Sequence, residues 1–150
     1  MKIHIASDHA GFELKEKLVV FLRSLGHEVN DHGAKHFERE DDYPDYIAPA
    51  ARALSAEPKG ALAILIGGSG TGEAIVANRF RGVRAAVYYG GSPEILRLSR
   101  EHNDANALSL GARFLNEEAA KQAVKLWLDT AFTDQDRHAR RIAKIEELTK

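Results

Sequence analysis

The sequence predicts an α/β fold: a three-layer α/β/α unit on a five-stranded parallel sheet, with an extra C-terminal helix. Three observations predict it. Short β-branched runs alternate with amphipathic stretches, and repeated strand–helix units give parallel strands covered by helices on both faces. The run ALAILIG (61–67) is apolar throughout, as expected of a central parallel strand buried on both sides. No linker, repeat or low-complexity tract divides the 150 residues, a length that suits one domain over residues 1–150 with a sizeable core.

In order along the chain, KIHIA (2–6) reads as the first strand. GFELKEKLVVFLRSLG (11–26) sets Leu14, Leu18, Phe21, Leu22 and Leu25 at helical spacing, with Gly26 placed to end the helix. HEVND (27–31) is a short second strand. PDYIAPAARALSA (44–56) is a helix entered through Pro44, which Pro49 is expected to interrupt or limit to a first turn. After the third strand at 61–67 comes a helix at 71–80, then a strand at 83–89 and a helix at 92–103. A fifth strand follows at 107–111, and a helix at 117–131 buries Ala120, Val124, Trp127 and Leu128. The order is that of a Rossmann-like fold. The last helix, 134–148, is highly charged, with a thin apolar stripe of Ile142, Ile145 and Leu148. Such a stripe suits a helix lying across a partner subunit as well as a solvated terminal helix.

Composition narrows the function classes. A net charge of −1 provides no basic field for nucleic acid or an anionic membrane. There is no cysteine, hence no disulfide, zinc–thiolate site or thiol nucleophile. The opening MKIHIASDHAG is too short for a signal peptide, and no later stretch approaches a membrane span. The expected setting is the cytoplasm.

In open parallel sheets, ligands bind beyond the carboxyl ends of the strands. The polar residues near the ends of the elements are Ser7-Asp8-His9, the loop Gly67 to Glu73, Arg100 to Asp104, Arg113, and Arg137 to Arg141. The loop GGSGTGE is rich in exposed amides but fits neither familiar phosphate motif. A dinucleotide fingerprint needs glycine where Glu73 stands, and a P-loop needs Gly-Lys-Ser/Thr where this loop has Gly-Glu-Ala.

An acid in the first turn of a helix is often only a favourable partner of the helix dipole. Glu73 also suits a reaction in which a base and an oxyanion site are neighbours, such as proton abstraction beside a carbonyl. Asp8 and His9 read either as a cap with a surface histidine or as part of the site. Turn chemistry explains Asn103, Asp104 and Asn106 better than it explains His102. Arg137 and Arg141, four apart on one helix face, suit a phosphate or a solvated basic face. The seven histidines show no HxH or HExxH spacing, and no metal site is expected.

Taken together and in this order, SDHAG (7–11), DYPDY (42–46), GGSGTGEAIVANR (67–79), GVRAA (82–86), EHNDANALSLGAR (101–113) and DRHARRI (136–142) resemble a known family. It is the ribose 5-phosphate isomerase type B and galactose 6-phosphate isomerase family. The resemblance runs nearly end to end. It implies an aldose–ketose isomerase acting on a sugar phosphate without metal or cofactor. It gives His102 a part in opening the furanose ring, with Asp8 nearby and also placed for sugar hydroxyls. Ser69 and the amides of Gly68, Gly70, Thr71 and Gly72 resemble the enediolate site. His9, Arg113, Arg137 and Arg141 resemble phosphate ligands, and Asn103 a sugar contact. The family builds its site at a homodimer interface, with His102 and Arg113 crossing from the partner; whether dimers pair into tetramers stays open.

Many members of that family carry a cysteine base just before the glycine loop, where this chain has Gly67. A second branch uses a glutamate after the loop, and Glu73 matches it. The expected reaction is interconversion of ribose 5-phosphate and ribulose 5-phosphate through an enediolate, with Glu73 as base. The alternatives are the same chemistry on allose 6-phosphate, galactose 6-phosphate or a tetrose phosphate. From another class, a nucleotide-binding α/β module without catalysis would use the same glycine loop.

Overall fold

ALAILIG forms β3 (Ala61–Gly67), the middle strand of the sheet in the computed structural model, which describes residues 1–149. Before it come β1 (Lys2–Ser7), α1 (Phe12–Ser24), β2 (Glu28–Asp31) and α2 (Tyr43–Ala56). After it come α3 (Thr71–Ala77), β4 (Ala85–Tyr88), α4 (Glu94–Glu101), β5 (Ala107–Gly111), α5 (Glu117–Asp129) and α6 (Asp136–Leu148). All strand pairs are parallel, in the order β2-β1-β3-β5-β4. The chain thus forms the predicted five-stranded sheet between helical layers.

Alternation along β3 accounts for its unbroken apolar run. Ile64 and Ile66 pack with Leu18 and Leu22 of α1, Leu96 of α4 and Trp127 of α5. Ala63 and Leu65 face the other way, onto Ile47 and Leu54 of α2 and Ala77 of α3. Burying one such aliphatic side chain contributes about 1.5–3 kcal/mol, so both faces of the strand must stay apolar.

Two local outcomes differ from the sequence expectation. First, α2 runs through Pro49. A proline inside a helix costs about 3 kcal/mol. Here Ile47, Ala50, Ala51 and Leu54 are buried from the same helix, and that burial offsets the lost hydrogen bond. Second, α3 ends at Ala77 rather than residue 80. The Asn78 side chain turns aside to pair with β4, accepting from the Ala85 amide at 2.8 Å and donating to its carbonyl at 3.1 Å. The thin stripe of α6 behaves as expected, and the helix buries only His138. Ile145 and Leu148 of its stripe remain 48% and 80% exposed, so the stripe does not join the core of its own chain. No helix among the described residues is long and apolar enough to cross a membrane.

His4 on β1 meets His32 of the segment after β2. His4 Nδ1 and His32 Nε2 are 2.9 Å apart, and the other ring nitrogen of His4 is buried without a partner. Burial lowers the pKa of both; His32 and Lys2 lower His4 further, while Asp31 partly opposes the effect at His32. The folded state therefore binds protons at these sites less readily than the unfolded chain, whose histidines titrate near 6.5. Stability from the neutral pair is present above that pH and is lost as pH falls from there towards the folded-state values. Thermal unfolding should accordingly move to lower temperature as pH drops below about 6.5. The variant His32→Gln keeps a hydrogen-bonding group for His4, removes one titration and should flatten that slope. An unchanged slope would assign the acid loss to other groups.

Candidate active site

The order of the strands puts the carboxyl ends of β1, β3 and β5 side by side. The sheet grows outward from β1 to β2 on one side and from β3 past β5 to β4 on the other. The crevice at such a switch point is where open α/β sheets bind ligands. Asp8 and His9 leave β1 there, the glycine loop leaves β3, and Arg113 follows β5.

Asp8 is buried, and its side chain caps the 3₁₀ turn His9–Gly11 that precedes α1. Its Oδ1 accepts from the amides of Ala10 at 3.0 Å and Gly11 at 3.2 Å. The cap and site readings of this residue therefore coexist: one oxygen is spent on the turn. His9 is held from a different direction. Asp41 Oδ1 accepts both its backbone amide at 3.1 Å and its ring Nδ1 at 2.6 Å. Asp41 arrives from the segment between β2 and α2, 32 residues from His9, and no local pattern in the sequence marks it.

The glycine loop packs on the end of β5. Gly70 has φ +79° and lies against the Ser109 and Leu110 carbonyls, and Ser109 Oγ donates to the Gly70 carbonyl at 2.6 Å. A side chain here would meet both the left-handed backbone and that close contact. The Arg113 amide donates to the Gly68 carbonyl at 3.1 Å, and its guanidinium carbon lies 3.2 Å from where a Gly68 side chain would begin. Tyr43, at the start of α2, covers Gly72 with its ring. The amides of Gly68, Ser69 and Gly70 meet no acceptor among the described residues. Ser69 Oγ accepts from the Thr71 amide at 3.2 Å.

Glu73 is 4% exposed, on the first turn of α3. Its carboxylate lies directly over the backbone of Gly67, in space that any side chain at residue 67 would occupy. Burial raises its pKa above the ordinary 4.5; its own backbone amide opposes the shift, and the nearby Asp8 adds to it. The result is a desolvated carboxylate beside three open amides.

The remaining expected residues lie at the opposite end of the sheet. In a parallel sheet each helix returns the chain to the amino ends of the strands. His102 ends α4, and Asn103 to Asn106 lead into β5. Asp104 is committed to structure, accepting from Arg84 at 2.9 Å and Arg100 at 3.1 Å. Asn106 is likewise committed, accepting from the Arg84 amide at 2.7 Å and donating to the Gly82 carbonyl at 2.7 Å. Asn103 is exposed. The chain before α6 is tied to the same end, where the Thr133 hydroxyl donates to the Glu101 carbonyl at 2.7 Å.

His138 of α6 stacks on His102, with ring centroids 4.2 Å apart and planes 12° apart. Burial lowers its pKa, followed by His102, Arg137 and Arg141. Arg137 and Arg141 are exposed beside this stack.

The site residues thus fall into two groups. Asp8, His9, Gly68 to Gly72, Glu73 and Arg113 gather at the carboxyl ends of the strands. His102, Asn103, Arg137 and Arg141 gather at the amino ends, roughly 20 Å away along the seven residues of β3. Arg113 differs from its expected place across a subunit boundary, because its guanidinium lies against Gly68 of its own chain. Sequence reasoning missed Asp41, Tyr43 and His138 as neighbours of the site. Tyr43 does lie in the quoted DYPDY segment, and His138 in DRHARRI.

Asp8, His9 and Asp41 also bring one ligand atom each within 4.8 Å of one another. That juxtaposition is made by the fold and is invisible to spacing. The contacts of Asp41 Oδ1 and Asp8 Oδ1 are already taken by His9 and by turn amides.

The sequence model of the Ribose/Galactose Isomerase family matches residues 3–145. Ribose-5-phosphate isomerase B of Escherichia coli is 41% identical over 145 residues, covering 96% of this chain and 93% of that one. Its namesake from Mycobacterium tuberculosis is 38% identical over 147 residues, covering 98% and 89%. In structure, the chain is similar to ribose-5-phosphate isomerase B from Mycoplasma genitalium with bound ribulose-5-phosphate. The TM-score is 0.93 at 36% identity, over 98% of this chain and 95% of that one. A match of this length in both sequence and backbone leaves one assignment: the chain belongs to the ribose/galactose isomerase family.

Proposed function

We propose that this chain interconverts ribose 5-phosphate and ribulose 5-phosphate through an enediolate, in the cytoplasm, with Glu73 as the base. The observation that carries the reading is the buried Glu73 carboxylate over Gly67, beside the open amides of Gly68, Ser69 and Gly70. The similar protein from Mycoplasma genitalium carries ribulose-5-phosphate in its structure, which favours the five-carbon substrate.

In the open-chain aldose, Glu73 removes the proton on C2. The C2–H electrons form the C1–C2 double bond, and the carbonyl electrons move onto O1. The loop amides stabilise that oxygen as its charge develops. A proton shifts from O2 to O1, Glu73 returns its proton to C1, and the ketose results. Electrons move only within the substrate, so the step requires no redox partner. Desolvation raises the proton affinity of Glu73 towards that of a useful base. Asp8, beside it, is available to sugar hydroxyls.

His9 and Arg113 provide cationic contacts for the phosphate at this end. His102, Asn103, Arg137 and Arg141 complete the site from a second subunit. The separation of the two groups along β3 supports this partition, since one small sugar phosphate does not span roughly 20 Å. In a two-fold homodimer the amino end of each sheet meets the carboxyl end of its partner, and each pairing is made twice. The partner subunit's His102 then assists ring opening.

Ribose 5-phosphate should be converted to the ketopentose by the purified protein, with kcat/KM rising with pH as Glu73 loses its proton. The midpoint of that acid limb should lie above 4.5, the ordinary carboxylate value. Glu73→Gln should lose about two or more orders of magnitude in kcat with substrate affinity retained; near-normal turnover would remove Glu73 as base. Gly67→Ala should push the carboxylate aside. Turnover should then fall by on the order of a hundredfold while the thermal midpoint moves by only a few degrees. A heterodimer of Glu73→Gln and His102→Gln chains, purified through two tags, should regain about half the wild-type turnover, because one of its two sites is intact. No recovery would place both residues in one subunit's site.

A further inference from the structure

We propose that Asp41 is a positioning residue that makes His9 a doubly protonated ligand for the substrate's phosphate. This rests on the reading of His9 as a phosphate contact.

Asp41 is 96% buried at its side chain, with 4% exposed, and its Oδ1 lies 2.6 Å from His9 Nδ1. A carboxylate only accepts, so Nδ1 carries the proton and Nε2 is the ring nitrogen left for a ligand. The same oxygen accepts the His9 backbone amide at 3.1 Å, which fixes main chain and ring together. Phosphate oxygens also accept. A ring that donates from Nδ1 to Asp41 and from Nε2 to phosphate holds two protons and a positive charge.

The surroundings favour that charge. Asp41 Oδ2 is buried with no close donor beyond a weak contact from the Tyr46 phenol, so the ring of a neutral histidine satisfies its negative charge only in part. Asp8 Oδ2 lies 3.9 Å from the same Nδ1 and adds a second carboxylate. Phe37 meets the ring edge-on at 6.4 Å and contributes no charge. Tyr46, from α2, stands near Asp41; burial and that carboxylate keep its phenol protonated. No cationic side chain pairs with Asp41 among the described residues other than His9. A tetrahedral dianion entering the crevice therefore meets a ring backed by two carboxylates.

Sulfate is the probe, because it is a tetrahedral dianion that does not titrate near neutral pH. Calorimetry in two buffers of different ionisation enthalpy should show proton uptake when sulfate binds the wild-type protein near pH 7.5. Spectra of ¹⁵N-histidine protein should show both His9 nitrogens protonated at saturation. A single-proton ring in that complex would overturn the proposal without any variant. Asp41→Asn keeps a hydrogen-bond acceptor but removes the charge. It should weaken sulfate about tenfold and abolish the uptake. With ribose 5-phosphate its KM should rise about tenfold while kcat falls far less, and Asp41→Glu should restore part of the affinity. If His9→Gln leaves sulfate affinity unchanged, the reading of His9 as phosphate ligand fails. If His9→Gln weakens sulfate but Asp41→Asn binds it with full proton uptake, the reading of His9 stands and the role of Asp41 fails.

Discussion

A carboxylate held over a bare stretch of backbone is the constraint on which the rest of this site depends. Glu73 occupies the volume that a side chain at residue 67 would fill, so glycine at 67 and glutamate at 73 form one feature. The cost is desolvation. A buried carboxylate without a cation is driven towards its protonated form, and here the proximity of Asp8 reinforces the effect. A surface carboxylate would not have that proton affinity.

The loop between these two residues has to stay open, and its neighbours hold it open. Ser109 on β5 fastens the Gly70 carbonyl, Arg113 fastens Gly68, and the ring of Tyr43 closes over Gly72. These contacts bind carbonyls and cover Cα atoms, which leaves the amide edge unspent. The strand order then decides what faces that edge. Because β1 and β5 flank β3, the turn bearing Asp8 and His9 stands on one side and Arg113 on the other.

The fold was legible wherever burial speaks through periodicity. The run at 61–67 is apolar because both faces of β3 are covered, and Leu14, Leu18 and Leu22 mark the inward stripe of α1. Legibility failed where one tertiary contact outweighs a local rule. Pro49 continues a helix because its neighbours are buried, and α3 stops early because Asn78 pairs with β4. In the site, Glu73 could be singled out because an acid at the end of a glycine loop is chemically odd. Asp41 could not, since its partner lies 32 residues away and the segment that carries it has no period. The arginines were visible as residue types, but which end of the sheet each occupies follows from connectivity. That is why Arg113 lies beside its own loop while Arg137 does not.

Connectivity also sets a limit on what one copy of the chain can do. A parallel sheet has a direction: loops after strands gather at one end and loops before strands at the other. Glu73 and the open amides of the glycine loop belong to the first end, whereas His102 and Asn103 belong to the second. Adjusting side chains within one chain cannot close a gap set by the length of the strands. Association of two copies in opposite orientation can, because it sets the amino end of one sheet beside the carboxyl end of the other. The exposed stripe of α6 fits the same requirement. That helix leaves Ile145 and Leu148 uncovered on its own chain while holding Arg137 and Arg141 at the end that a partner's crevice would meet. Apolar surface and cationic charge on one helix would then serve a single contact, in which burying the stripe brings the arginines to the partner's crevice.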